Sequence, residues 1–207
     1  MTNDKNISAE ITLNRSQLIM MTLLIEGLML VAGVGIALWR DASFWQISSV
    51  TSSAVLLGIV SAVPPLVIII GISESDTKLG ALGRENFGPV IGLFKNVSIL
   101  DIAFVSIMAG LSEEALFRGA LQTFVADHMG IWAALAIISI LFGFVHFLSL
   151  TYFVFATLIG LYLGILYVWT DSLLVPILSH AVYDFVALVY GTRFMRKNNG
   201  SGIEHAG

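Results

Sequence analysis

A hydrophobic run of 21 residues, Leu18 to Leu38, interrupted by Glu26, constrains this chain more than any other feature. In lipid every backbone N–H and C=O must find its partner inside the protein, so a run of this length reads as a helix that crosses the bilayer. It is too long for the ~7–15-residue core of a secretion signal, and no small-x-small cleavage site follows it. Five more such stretches follow. These are Val50–Ile72, with Pro64-Pro65 expected to kink or break it, a long segment over 97–126, Ile131–Phe147, Thr151–Thr170 and Leu173–Tyr190. Residues Ser73 to Pro89 read as a polar stretch, with Val90–Phe94 lying at the interface. The expectation is an all-α membrane protein with about six transmembrane helices.

Composition agrees. The 207 residues are 57% hydrophobic and 12% charged, with mean hydropathy +0.91, where a soluble domain carries about 25% charged residues. There is no long basic run, which argues against a nucleic-acid partner. Cysteine is absent, so disulfides, thiolate metal sites and cysteine nucleophiles are excluded. No internal repeat, low-complexity tract or linker divides the chain. Residues 1–17 read as a polar tail, 18–96 as N-terminal membrane helices with a polar loop, 97–190 as the core and 191–207 as a C-terminal tail. Six spans put both termini on one side. That side holds Lys5, Arg15, Lys78, Arg84, Lys95, Arg193, Arg196 and Lys197, and the other holds Arg40. The excess of lysine and arginine predicts both termini in the cytoplasm.

Against this apolar background the charged residues stand out. The segment Leu111-Ser112-Glu113-Glu114-Ala115-Leu116-Phe117-Arg118-Gly119 puts three ionisable groups into one helix, each costing about 2.5–3.5 kcal/mol at mid-membrane. Glu114 and Arg118 lie one turn apart and can pair, while Glu113 is rotated away and left free. The fourth span ends in Phe142-Gly143-Phe144-Val145-His146, and the sixth contains His180-Ala181-Val182-Tyr183-Asp184. Each alone reads as packing or a self-satisfied pair. Together Glu113, Glu114, Arg118, His146, His180 and Asp184 lie on three helices that can converge, and ion pairs buried for stability alone tend to lose to apolar packing. Glu26 has no partner in the sequence and is read as structural, a candidate to carry a proton. Gly160-x-x-x-Gly164 is read as an intramolecular packing face.

Three kinds of chemistry suit this set. A carboxylate with a histidine can hold a water and take its proton. A second histidine, oriented by Asp184, can stabilise an oxyanion or protonate a leaving amine. Two glutamates and two histidines can also bind a divalent metal. The chain has no His-Glu-x-x-His and no Glu-x-x-His, which argues against the common zinc-protease helix and a di-iron bundle. Gly110-Leu111-Ser112 is followed by Glu113 instead of glycine, so a serine mechanism is weak. Intramembrane Glu, His and Asp also suit a proton-coupled transporter, a reading that expects repeated halves.

The ordered set Glu113-Glu114-x-x-x-Arg118, Phe142-x-x-x-His146 and His180-x-x-x-Asp184 resembles the CPBP family of CAAX-prenyl-protease-2-like and bacteriocin-processing (Abi) intramembrane proteases. The resemblance covers about residues 97–190. It implies a membrane endopeptidase whose active site lies on three helices and which acts on membrane-associated, possibly lipidated, peptides or proteins. By position, Glu113 and His146 would activate water, Glu114 and Arg118 would shape the site, and His180 with residue 184 would form the oxyanion side. The family's last motif often ends in asparagine. Asp184 departs from it and would have to be protonated, hold His180 in its charged form, or ligate a metal. The family carries a metalloprotease label beside a metal-independent glutamate mechanism. A zinc ion, if bound, would take Glu113, His146 and His180. A non-catalytic bacteriocin-immunity or membrane-assembly protein is the alternative within the same resemblance. The expected location is the plasma membrane of a prokaryote.

Overall fold

The computed structural model describes residues 13–40 and 50–193 and the backbone of 194–201. Most of the predicted N-terminal tail, Lys5, the loop over 41–49, the side chains of Arg196 and Lys197, and the chain beyond 201 lie outside the described residues. Among the described residues the structure is helical throughout. In order the elements are α1 (Arg15–Trp39), α2 (Ser52–Val60), α3 (Val63–Glu74), α4 (Lys78–Leu93) and α5 (Ile99–Glu114). A π-helical segment (Ala115–Gln122) follows, then α6 (Thr123–Met129), α7 (Ile131–Val145), α8 (Leu150–Thr170) and α9 (Leu174–Ser201).

Four helical stretches are long and apolar enough to cross a membrane: Arg15–Trp39, Ser52–Glu74, Leu150–Thr170 and Leu174–Arg193. The second is broken at Ser61-Ala62, because Pro64 and Pro65 lack N–H donors and restart the helix as its first-turn residues. The 15-residue α7 spans about 22 Å, less than the ~30 Å hydrocarbon core. The segment expected as one long third helix is α5, the π-helical turns and α6 in unbroken succession. The stretch read as a polar connection, Ser73–Pro89, instead folds mostly as α4. Thr77 caps its start and Pro89 lies within it.

Contacts set the helix directions. Arg15 pairs with Asp101, Gly33 abuts Leu116, and Arg40 donates to Thr123 Oγ1 at 2.9 Å and pairs with Asp127. Helix α1 therefore runs parallel to the α5–α6 succession. Gly110 meets Ile177 and Ala181 while Ile102 packs near Phe185 and Leu188, so α9 runs antiparallel to α5. Gly143 faces Phe153 and Thr157 while Gly164 faces Leu135, so α7 and α8 are antiparallel neighbours. Arg15, Lys95 and Arg193 thus share one end of the bundle, with Arg40 and Asp127 at the other. Trp39, Trp132 and Trp169, all exposed, fall at the Arg40 end, as an interfacial belt would. On α1 the exposed Leu24, Leu28 and Val31 form an apolar outer surface suited to lipid.

Capping fixes the starts of the two parallel helices. Asn14 and Gln17 close one reciprocal box and Ser98 and Asp101 another. Asp101 also accepts both Arg15 Nη2 at 2.7 Å and Nε at 2.8 Å, which locks the two starts together. Gly160 faces Phe142 and Gly164 faces Gln122 and Leu135, so the small-residue stripe packs within the chain.

One close approach governs the site. A Cβ on Gly110 would lie 2.8 Å from the Ile177 carbonyl oxygen and 2.9 Å from the Ala181 nitrogen. Both are backbone atoms and cannot swing aside. Gly110→Ala is expected to lower stability in detergent by about 1–3 kcal/mol by forcing α5 and α9 apart. Gly27→Ala, where nothing lies within 4 Å, should stay within about 0.5 kcal/mol. Equal thermal unfolding of the two variants would contradict the packing.

Candidate active site

Glu114 is the hub. Its Oε1 accepts from Arg118 Nη1 at 3.0 Å and pairs with His180 Nδ1 at 2.8 Å. Arg118 Nη2 continues to the Gly160 carbonyl at 2.7 Å. The glutamate and the arginine are fully buried and His180 is 2% exposed. One carboxylate thus joins the catalytic-helix candidate to α9 and, through Arg118, to α8. The pair predicted between Glu114 and Arg118 is present, and it lies where the helix widens to π-type hydrogen bonding, a distortion common at functional sites.

Glu113 points elsewhere. Its Oε2 is 3.5 Å from His146 Nε2. His146 sits at the C-cap of α7, where its Nδ1 lies 2.9 Å from the Phe142 carbonyl oxygen. A carbonyl only accepts, so Nδ1 carries the hydrogen and Nε2 is the ring nitrogen turned to Glu113. Phe142 supports the assembly from both sides. Its ring stacks on His146 with centroids 4.4 Å apart, and the Arg118 guanidinium carbon lies 4.7 Å from its centre.

His180 is held between two carboxylates, with Nδ1 on Glu114 and Nε2 3.5 Å from Asp184 Oδ2. With both carboxylates ionised each ring nitrogen faces an acceptor, so both carry hydrogen and the ring is an imidazolium. Tyr183 stacks on it at 5.0 Å and 4°. His146, His180 and Asp184 line one end of a cavity of about 420 Å³ whose walls are largely apolar, with Phe87, Tyr152 and Phe155 among them. Glu113 reaches this space through His146.

The six residues singled out in the sequence therefore meet at one place. The proposed ligand set does not fit a metal: His180 has both nitrogens turned to carboxylates, and among the described residues no three His, Asp or Glu side chains converge on one point. Glu26 shows in the structure what spacing along the chain does not. It has a partner, Ser112, whose Oγ lies 2.5 Å from Glu26 Oε2. Phe142 and Tyr183 were also missed as site residues. Their signal was spacing, four residues before His146 and three after His180.

Residues 95–186 match the model of the Rce1-like family, described as type II CAAX prenyl endopeptidase Rce1-like. They are a domain of this family. This match and the four apolar helices together support a membrane protein that resembles this protease family over those residues. It is 38% identical over 97 residues to the uncharacterized protein YpbD of Bacillus subtilis (strain 168), covering 45% of this chain and 47% of that protein. The chain thus matches about half the length of this curated relative. No solved structure matches.

The buried hub generates a stability prediction. Glu114→Gln leaves the Arg118 charge buried without its counter-ion and should cost about 3–5 kcal/mol. Asp184, whose side chain is 31% exposed, should cost less than about 1 kcal/mol as Asp184→Asn. Chemical denaturation of the two purified variants checks this, and similar losses would contradict the hub.

Proposed function

We propose that this chain is an intramembrane endopeptidase that hydrolyses peptide bonds of membrane-associated or lipidated substrates through a water held by Glu113 and His146. The observation that carries this reading is the approach of Glu113 Oε2 to His146 Nε2, 3.5 Å apart, with His146 lining an apolar cavity. With the ring neutral, a water bridging the pair from the cavity side can donate one O–H to each. Glu113 Oε2 accepts no hydrogen bond from the protein, which suits that role. As the water oxygen bonds to the substrate carbonyl carbon, Glu113 takes its proton. The carbonyl oxygen becomes an oxyanion, and the positive charge of His180, held between Glu114 and Asp184, stabilises it. The C–N bond then breaks, and the proton held by Glu113 passes to the leaving amine. No step is routed through a metal.

In this reading Asp184 in place of asparagine acts through charge. It keeps His180 in its cationic form instead of donating a hydrogen bond itself. The largely apolar cavity favours an apolar side chain or a lipid-modified residue next to the cut bond. The chain would cross the membrane six times, with the tryptophan-bearing start of α7 at the interface. Both termini would be cytoplasmic, the side rich in lysine and arginine, in a prokaryotic plasma membrane.

The test is cleavage of quenched fluorescent peptides, some lipid-modified, by the purified protein in detergent. Wild type should cleave, and Glu113→Gln and His146→Ala should each fall by about 10²–10⁴-fold while remaining folded. A chelator should leave the wild-type rate unchanged. Cleavage that survives Glu113→Gln would overturn the assignment, as would wild-type protein that carries protons in liposomes and cleaves nothing.

A further inference from the structure

Helix α1 lies outside the family-matched segment, yet it is stapled to the catalytic helix at three levels. Arg15–Asp101 closes one end and Arg40–Asp127 the other. Between them Glu26 reaches Ser112, the residue before Glu113. Glu26 belongs to the packed stripe of α1, with Leu18 and Thr22 before it and Gly33 and Ala37 after it. At Gly33 a Cβ would lie 3.1 Å from the Leu116 backbone. The two contacts bracket Glu113, one residue before it and three after.

The hydrogens around Ser112 decide what Glu26 does. Ser112 Oγ lies 2.5 Å from Glu26 Oε2 and 2.7 Å from the Met108 carbonyl oxygen. A hydroxyl has one hydrogen, and a carbonyl only accepts. An ionised Glu26 also only accepts, so Ser112 could then serve one of its two neighbours. Both short contacts are hydrogen bonds when Glu26 carries the proton and donates to Ser112, and Ser112 donates to Met108. Ser112 is fully buried, where an unmade hydrogen bond costs about 1–3 kcal/mol. An ionised Glu26 would also add a fourth carboxylate charge to a site that already holds Glu113, Glu114 and Asp184, against the cations Arg118 and His180 and a histidine, His146, already paired with Glu113.

We propose that Glu26 is a positioning residue for the active site, acting as a neutral carboxylic acid that donates to Ser112 and thereby holds the turn that aims Glu113 at His146. It touches neither substrate nor water. The function assigned to α1 is therefore part of the site's support, beyond membrane anchoring. The kinetic part of this inference rests on the proposed peptidase reading; the protonation part does not.

The experiment uses full-length protein in detergent and has two readouts. The first is the infrared carbonyl band of a protonated carboxylic acid. It should be present in wild type, absent in Glu26→Gln, and shifted in Ser112→Ala, where the donated hydrogen bond is lost. The second is peptide cleavage. Glu26→Gln keeps a neutral donor and should retain kcat within about 3-fold with an unchanged pH profile. Glu26→Ala should lower kcat by about 10–100-fold with KM unchanged. Absence of the acid band, or a glutamine variant as slow as the alanine variant, would overturn the proposal. The acid band in a protein that cleaves nothing would uphold the protonation and sink the peptidase reading alone.

Discussion

The Glu114 carboxylate is the constraint from which the rest follows. One oxygen serves Arg118 from its own helix and His180 from α9, and Arg118 spends another donor on the backbone of α8. Charges this deep are tolerated only while every partner is in place. The cluster therefore sets how closely three helices approach, and Gly110 removes the side chain that would prevent it. Once Glu114 is committed inward, its neighbour Glu113 is rotated by helix geometry towards the end of α7, where His146 waits. Structure and chemistry share one turn of helix.

That arrangement reconciles two demands. A hydrolytic site needs a water and charged groups, whereas the bilayer penalises both. Here Glu114, Arg118, His180 and Asp184 pair with one another within the protein, and His146 turns to the cavity with Glu113 behind it. The cavity walls stay largely apolar. On the proposed reading, an apolar substrate segment would leave lipid without stranding its own surface in water, and its carbonyl would meet the polar side chains.

Much of this was legible in the residues. Charges at helical spacing in an apolar run announced Glu114 and Arg118 as a pair, and the three motifs named the six ionisable side chains that meet at the site. Spacing along a chain says nothing of distance between helices, so the assignment of Glu114 to His180 and of Glu113 to His146 needed the fold. Glu26 escaped for the same reason: its partner is 86 residues away. The polar look of Ser73–Pro89 hid α4 because its glycines and Pro89 mimic loop composition, although Thr77 caps a helix there. The widened turn over Ala115–Gln122 has no sequence signature that periodicity can read.

The central claim is that Glu113 and His146 act as one unit on one water. The most direct measurement is a double-mutant cycle on single-turnover peptide cleavage, comparing Glu113→Gln, His146→Ala and the double variant. Residues that act together are strongly non-additive, so the double variant should be about as slow as the slower single one. Losses that multiply would mean the two side chains act independently, and the shared-water account would be wrong.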